Sequence, residues 1–193
     1  MFENLINSKF YAISVEIVRL AYITVLFLLF SIPVITIGAS FSASINTIRK
    51  SDYSVWPTFW DSFKRNFLQA TIILIFSLFS VLFLYQTWNI IGALPAGNFL
   101  YIFLLILVIV YNLNAYLFAS ILKKSGITFF RQVFFFTIGT LYKTFFVPII
   151  AAGLAFIFII IGGVILFALS FSVSILIYLK IIKNDLETVE EIM

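Results

Sequence analysis

The sequence has no cysteine and no histidine among its 193 residues. Disulfides, thiol nucleophiles and imidazole proton relays are therefore excluded, and so are zinc and copper sites built from their usual ligands. Charged residues are scarce as well, at 10% of the chain, whereas an ordinary soluble domain has about 25%. Because most enzymes depend on such groups, we predict that the protein is not an enzyme and binds no cofactor or metal.

Apolar residues dominate the composition. They make up 63% of the chain, which has a mean hydropathy of +1.18. This composition indicates that the lipid bilayer is the solvent of most of the chain. The net charge of +4 does not indicate nucleic acid, because the cations stand in short clusters beside apolar runs, as juxtamembrane residues do.

The apolar runs predict an all-α, polytopic membrane helix bundle that forms a single membrane domain over residues 1–193. A hydrocarbon core about 30 Å thick needs about 20 helical residues. The last run has no charge between Lys143 and Lys180, which is too long for one crossing, and Gly162 and Gly163 offer a turn that divides it. The five predicted transmembrane helices cover residues 15–39, 67–91, 99–122, 145–161 and 164–181.

The first run has a competing interpretation as a cleavable signal peptide. Its length and the acidic residues Glu3 and Glu16 before it favour a transmembrane helix instead.

Lysine and arginine residues set the predicted orientation, because they are enriched on the cytoplasmic side of plasma membranes. With five crossings, ten of them fall on one side, and Lys9 and Arg19 fall on the other. We therefore predict the N-terminus outside and the C-terminus in the cytoplasm, with residues 182–193 as a cytoplasmic tail. The ten cations are Arg49, Lys50, Lys64, Arg65, Lys123, Lys124, Arg131, Lys143, Lys180 and Lys183.

The two predicted cytoplasmic loops, residues 40–66 and 123–144, each contain an amphipathic helix, which we name an elbow helix. In the first, Pro57 suits the opening turn, and aromatic residues cover one face while cations lie on the other. This helix either lies on the inner leaflet or docks a partner through its aromatic face. The predicted surface consists of Trp56, Phe59, Trp60, Phe63, Lys64, Arg65 and Phe67.

A series of small residues follows Pro33, which is expected to kink the first transmembrane helix. We name the series the small-residue ladder. Small side chains mark contacts between membrane helices, since they allow close approach. We expect the ladder to pack against another span, with Ala151 and Ala155 or Ser170 and Ser174 as candidate partners. The ladder consists of Gly38, Ala39, Ser40, Ser42, Ala43 and Ser44.

Ionisable side chains are absent from the apolar cores of the predicted spans, although transport pathways usually contain them. Two amides, Asn112 and Asn114, lie near the middle of the third span and point to different faces. They either join neighbouring helices by hydrogen bonds or line a site for a neutral solute such as a sugar.

Two sequence stretches carry a resemblance to a known family. They are SIPVITIGAS at residues 31–40 and, after a short basic loop, FWDSFKRNFLQAT at residues 59–71. Over about residues 15–75 the chain resembles the YesL-type family of Gram-positive bacterial membrane proteins. The resemblance implies a bacterial plasma-membrane protein linked to sugar import, because genes of that family commonly lie beside carbohydrate-uptake ABC transporters. It supplies no catalytic residue.

Two hypotheses of function follow. The favoured one is a non-enzymatic accessory or assembly subunit linked to a carbohydrate-import ABC transporter, which docks on the permease through the small-residue ladder and the elbow helices. The alternative is a small homo-oligomeric transporter or channel for a neutral solute, with Asn112 and Asn114 at its polar centre. An intramembrane enzyme is disfavoured, because the hydroxyl groups lack an activating base at matching depth.

Overall fold

The structure, a computed structural model, describes residues 9–50, 54–92, 96–122 and 126–192. It is an all-helical membrane bundle, which confirms the predicted fold class. In the described part, three helices are long and apolar enough to cross a membrane, and the number rises to five if each bent helix pair is one span. The helices are α1 (Lys9–Phe30), α2 (Ile37–Arg49), α3 (Val55–Gly92), α4 (Gly97–Ile121), α5 (Ile127–Thr144), α6 (Val147–Ile181) and α7 (Lys183–Ile192).

The predicted first span, residues 15–39, is not one helix. Helix α1 ends at Phe30, and a short 3-10 turn (Val34–Thr36) separates it from α2. Pro33 has no N–H and restricts the residue before it, so the chain stops being helical rather than bending. The hydroxyl of Thr36 donates to the carbonyl oxygens of Phe30 and Pro33, at 2.5 and 2.7 Å. The small-residue ladder therefore belongs to a separate helix.

Helices α1 and α2 form an antiparallel hairpin. The guanidinium of Arg19 donates to the carbonyl oxygens of Thr47 and Lys50, at 2.5 and 3.1 Å, and the rings of Phe27 and Phe41 are 6.4 Å apart. Arg19 and Lys50 therefore lie at the same end of the bundle. The prediction that they lie on opposite sides is wrong, because the chain turns back after α1 instead of continuing across.

Helix α3 joins two elements that were predicted separately. It runs for 38 residues, about 57 Å, and so includes both the first elbow helix and the second span. Its first half lies antiparallel to α2, and its second half lies antiparallel to α4, where the rings of Trp88 and Tyr101 are 4.5 Å apart. Residues 93–95, between α3 and α4 in the sequence, lie outside the described residues.

Helices α5, α6 and α7 complete the bundle. Helix α5 meets the first half of α6 at a bend of 55°. Helix α6 is interrupted at Gly162 and at Gly163, which has a φ of +61°, and this break coincides with the predicted junction of the last two spans. Glycine is suited to this left-handed conformation because it has no Cβ. The predicted cytoplasmic positions of Lys123 and Lys124 lie outside the described residues.

Candidate functional site

Helix α2 lies at the centre of the bundle, where ten of its 13 residues are buried, including the whole small-residue ladder. A Cβ at Gly38 would lie 2.5 Å from the carbonyl oxygen of Ala70 and 3.2 Å from the Cβ of Leu74, both in α3. A residue with a side chain does not fit there without a shift of α3. The ladder thus packs closely against α3, which was not among the candidate partners predicted from the sequence.

Polar side chains of α2 bond to the two helices beside it. The hydroxyl of Ser42 donates to the carbonyl oxygen of Tyr116 and accepts from the amide of Asn66, both at 3.4 Å. The amide of Asn46 donates to the hydroxyl of Ser62 at 2.6 Å. Because these groups are buried and bonded inside the chain, the ladder forms a contact between helices, which is the first of its two predicted roles, and it is not exposed for docking on a permease.

The aromatic face of the predicted elbow helix packs around Phe30, the last residue of α1. Ring centroids lie 5.5 Å from Phe59, 5.5 Å from Trp60 and 5.2 Å from Phe63. Both Phe59 and Phe63 are buried. The face predicted to meet lipid or a partner is therefore largely an internal contact, because the α1–α2 hairpin covers it.

The rest of that predicted surface is divided between interior and exterior. The side chain of Arg65 donates to the carbonyl oxygen of Ser120 at 3.1 Å, so it connects α3 to the end of α4. Phe67 is half-buried against the core. Trp56 is 46% exposed, and Lys64 is exposed above the ring of Trp60 at 5.2 Å. Within the predicted surface, Trp56, Lys64 and Arg65 are exposed and remain accessible to lipid or partner.

The two central amides of α4 are both engaged. Fully buried Asn114 donates to the hydroxyl of Thr137 at 3.0 Å and accepts from the hydroxyl of Tyr178 at 2.5 Å, which joins α4 to α5 and α6. On the other face, Asn112 accepts from the hydroxyl of Ser77 in α3 at 2.5 Å. Each amide therefore connects helices within the chain, which is the first of the two interpretations offered by the sequence.

Some central contacts were not found from the sequence. The hydroxyls of Thr24 in α1 and Ser172 in α6 share a hydrogen bond of 2.6 Å between buried side chains, and Tyr178 is one of the largest fully buried residues. The sequence does not show which residue a single hydroxyl in an apolar helix bonds to. The alternation of serines at 170, 172 and 174 was the only hint.

A charged cavity of about 620 Å³ lies where α1, α2, α6 and α7 meet. The sequence did not predict it, because its lining comes from segments that are far apart in the chain. Near it, α5 and α7 are joined by an ion pair in which the ammonium of Lys143 lies 2.7 Å from both carboxylate oxygens of Asp185. The charged lining residues are Glu16, Arg49, Lys180, Lys183 and Glu187.

Within the described ranges, no group of three or more acidic residues is placed to hold a metal ion.

Residues 20–88 match the family described as "Protein of unknown function, DUF624", to which the YesL-like proteins belong. No curated protein and no solved structure matched the chain. The matched segment contains the second half of α1, all of α2 and most of α3, and thus the packing of the small-residue ladder.

Proposed function

We propose that the protein is a non-enzymatic accessory or assembly subunit of the bacterial plasma membrane, linked to a carbohydrate-import ABC transporter. One observation carries the proposal: the polar side chains at the centre of the bundle are bonded to one another. A pathway for solute needs polar groups that are exposed to a cavity. Here Asn46, Asn66 and Asn114 are buried and bonded to neighbouring helices.

The interior is also electrically neutral. Among the described residues, the buried polar side chains are serine, threonine and asparagine, with no charged residue in that set. Opening a solute path through this core would break several buried hydrogen bonds, each of which is costly to leave unmade. These contacts suit a rigid scaffold that acts through its outer surface.

The proposed partner is the permease of the transporter. The resemblance to the YesL-type family motivates this choice, and the match to DUF624 over residues 20–88 supports the coarser family relation. The contact would use the outer apolar faces of the bundle, since the small-residue ladder and most of the aromatic face are internal.

The proposed orientation places the charged end of the bundle in the cytoplasm. Glu16 and Arg49 line one cavity with Lys180 and Lys183, so the beginning of α1 lies at the same end as the end of α6. Helix α1 as a whole is long enough to cross a membrane. Its part beyond Arg19, whose side chain bonds to the end of α2, rises only about 17 Å, which is shorter than a hydrocarbon core of about 30 Å. We therefore propose that the α1–α2 hairpin enters the membrane and returns, which places both termini on the cytoplasmic side.

Cysteine labelling tests this orientation, because the chain has no native cysteine. Single cysteines replace the exposed residues Ala12, Asn98 and Thr188. In intact cells, an impermeant maleimide is expected to label Asn98→Cys, whereas Ala12→Cys and Thr188→Cys react only after the membrane is opened. Labelling of Ala12→Cys from outside would show that α1 crosses the membrane.

The accessory role is tested by purifying the tagged protein from its native host in nanodiscs, followed by mass spectrometry and particle-size analysis. Stoichiometric recovery of permease and ATPase subunits is expected. A tagged membrane protein of similar size and abundance serves as the control for nonspecific recovery. Isolation of the chain as a defined homo-oligomer that takes up sugar in liposomes would overturn the proposal in favour of the transporter alternative.

A further inference from the structure

The charged cavity is built by four helices. Glu16 comes from α1, Arg49 from the last residue of α2, Lys180 from α6, and Lys183 and Glu187 from α7. Its volume of about 620 Å³ lies within the range of about 300–1,000 Å³ found for small-molecule sites. The cavity therefore has room for a ligand group of the size of a lipid headgroup.

Its charge favours an anion. Three cations and two carboxylates line it, and each carboxylate already has a cationic neighbour. Glu16 lies 3.6 Å from Arg19, and Glu187 lies 3.8 Å from Lys183. The side chains of Lys183 and Glu187 are 71% and 59% exposed, so solvent weakens this ion pair. The cavity thus keeps a positive balance.

The cavity also has an apolar wall, which a soluble anion would not need. Ile48, Leu176, Leu179 and Leu186 supply this wall. On α1, beside Glu16, the apolar residue Ile17 is 52% exposed. A ligand with an anionic head and apolar chains matches both parts of the lining.

We propose that this cavity binds the phosphate of an anionic phospholipid, with the acyl chains against its apolar wall. Basic pockets between membrane helices on the cytoplasmic side bind such headgroups through charge-assisted hydrogen bonds. Lys180 and Lys183 hold the phosphate, and Glu187 competes with it for Lys183. The site does not depend on the accessory role, since it is formed within one chain.

The test uses the full chain in nanodiscs that contain phosphatidylglycerol and phosphatidylcholine, with native mass spectrometry to count retained lipids. Phosphatidylglycerol is expected to be retained in preference to phosphatidylcholine. The Lys180→Gln and Lys183→Gln variants should each weaken its retention about fivefold. The matched control is Arg131→Gln, which removes an exposed cation outside the cavity and should leave retention unchanged.

A variant that is expected to strengthen lipid retention serves as the control for a folding defect. Glu187→Gln removes the competing carboxylate and should strengthen retention, which a damaged fold would not do. Equal retention of both lipids, an equal loss in Arg131→Gln, or weaker retention in Glu187→Gln would each overturn the proposal. Displacement of the lipid by millimolar inorganic phosphate would show that the cavity takes a soluble anion instead.

Discussion

The contact between Gly38 and α3 gives the sharpest structural prediction. A Cβ at this position would lie 2.5 Å from the carbonyl oxygen of Ala70, whereas carbon–oxygen contacts in proteins settle at about 3.3 Å or more. The Gly38→Ala variant must therefore push α2 and α3 apart by about 0.8 Å at that point. The obstacle is backbone, so a change of side-chain rotamer cannot relieve it.

The expected cost is that of overpacking, about 1–3 kcal/mol. Alanine also favours the helix over glycine, by about 1 kcal/mol, so the informative quantity is the difference from a glycine whose Cβ would be free. Gly139 and Gly153 provide that control, because nothing lies within 4 Å of a Cβ built on either. Gly139→Ala and Gly153→Ala should leave stability unchanged or raise it.

Thermal unfolding in detergent, followed by circular dichroism, measures this difference. The Gly38→Ala protein should unfold roughly 2–10 °C below the two control variants, by the size scaling of single domains. If Gly38→Ala is as stable as Gly139→Ala, α2 does not approach α3 in the way described. The interior between α2 and α3 would then be less closely packed than described.

Three further changes have defined outcomes. Asn114→Leu leaves the buried hydroxyl of Tyr178 without its acceptor and removes the bond that Thr137 accepts, so it should destabilise the bundle by about 1–3 kcal/mol in detergent unfolding. Unchanged stability would show that the amide is not a structural link. The double variant Thr24→Cys with Ser172→Cys should form a disulfide on mild oxidation, visible as a mobility shift lost on reduction, because the two native hydroxyls are 2.6 Å apart. Absence of this bridge would contradict the packing of α1 on α6. Lys143→Gln should lower the unfolding temperature at low salt, and the loss should shrink at high salt or when Asp185 is already replaced by asparagine.

The sequence predicted the fold class because a helix that crosses a bilayer needs a long apolar run with few charged residues. It also located the small-residue ladder and Gly162–Gly163. It could not identify the neighbour of the ladder, since small side chains indicate that another helix packs closely but do not show which helix it is. Gly38 meets Ala70 through a backbone carbonyl, and a carbonyl is present at every position of every helix.

The wrong placement of Arg19 relative to Lys50 has a specific cause. Pro33 was expected to kink a continuous helix, whereas it ends α1, and the chain then reverses. Both outcomes remove the same backbone hydrogen bond, so the sequence does not separate them. The reversal moves Arg19 next to the backbone of Thr47 and Lys50, and it also places Phe30 over the aromatic residues that were expected to face outward.

The position of α2 limits how the protein can work. A helix with so many serine, threonine and asparagine residues gains little from facing lipid, and its buried polar groups find partners only when α3 and α4 are already beside it. Its ten buried residues therefore tie the hairpin to the rest of the bundle as one unit. Motion of α2 alone would expose several unmet hydrogen-bonding groups at once, so a partner or lipid can act on this protein only through its outer faces or its charged end.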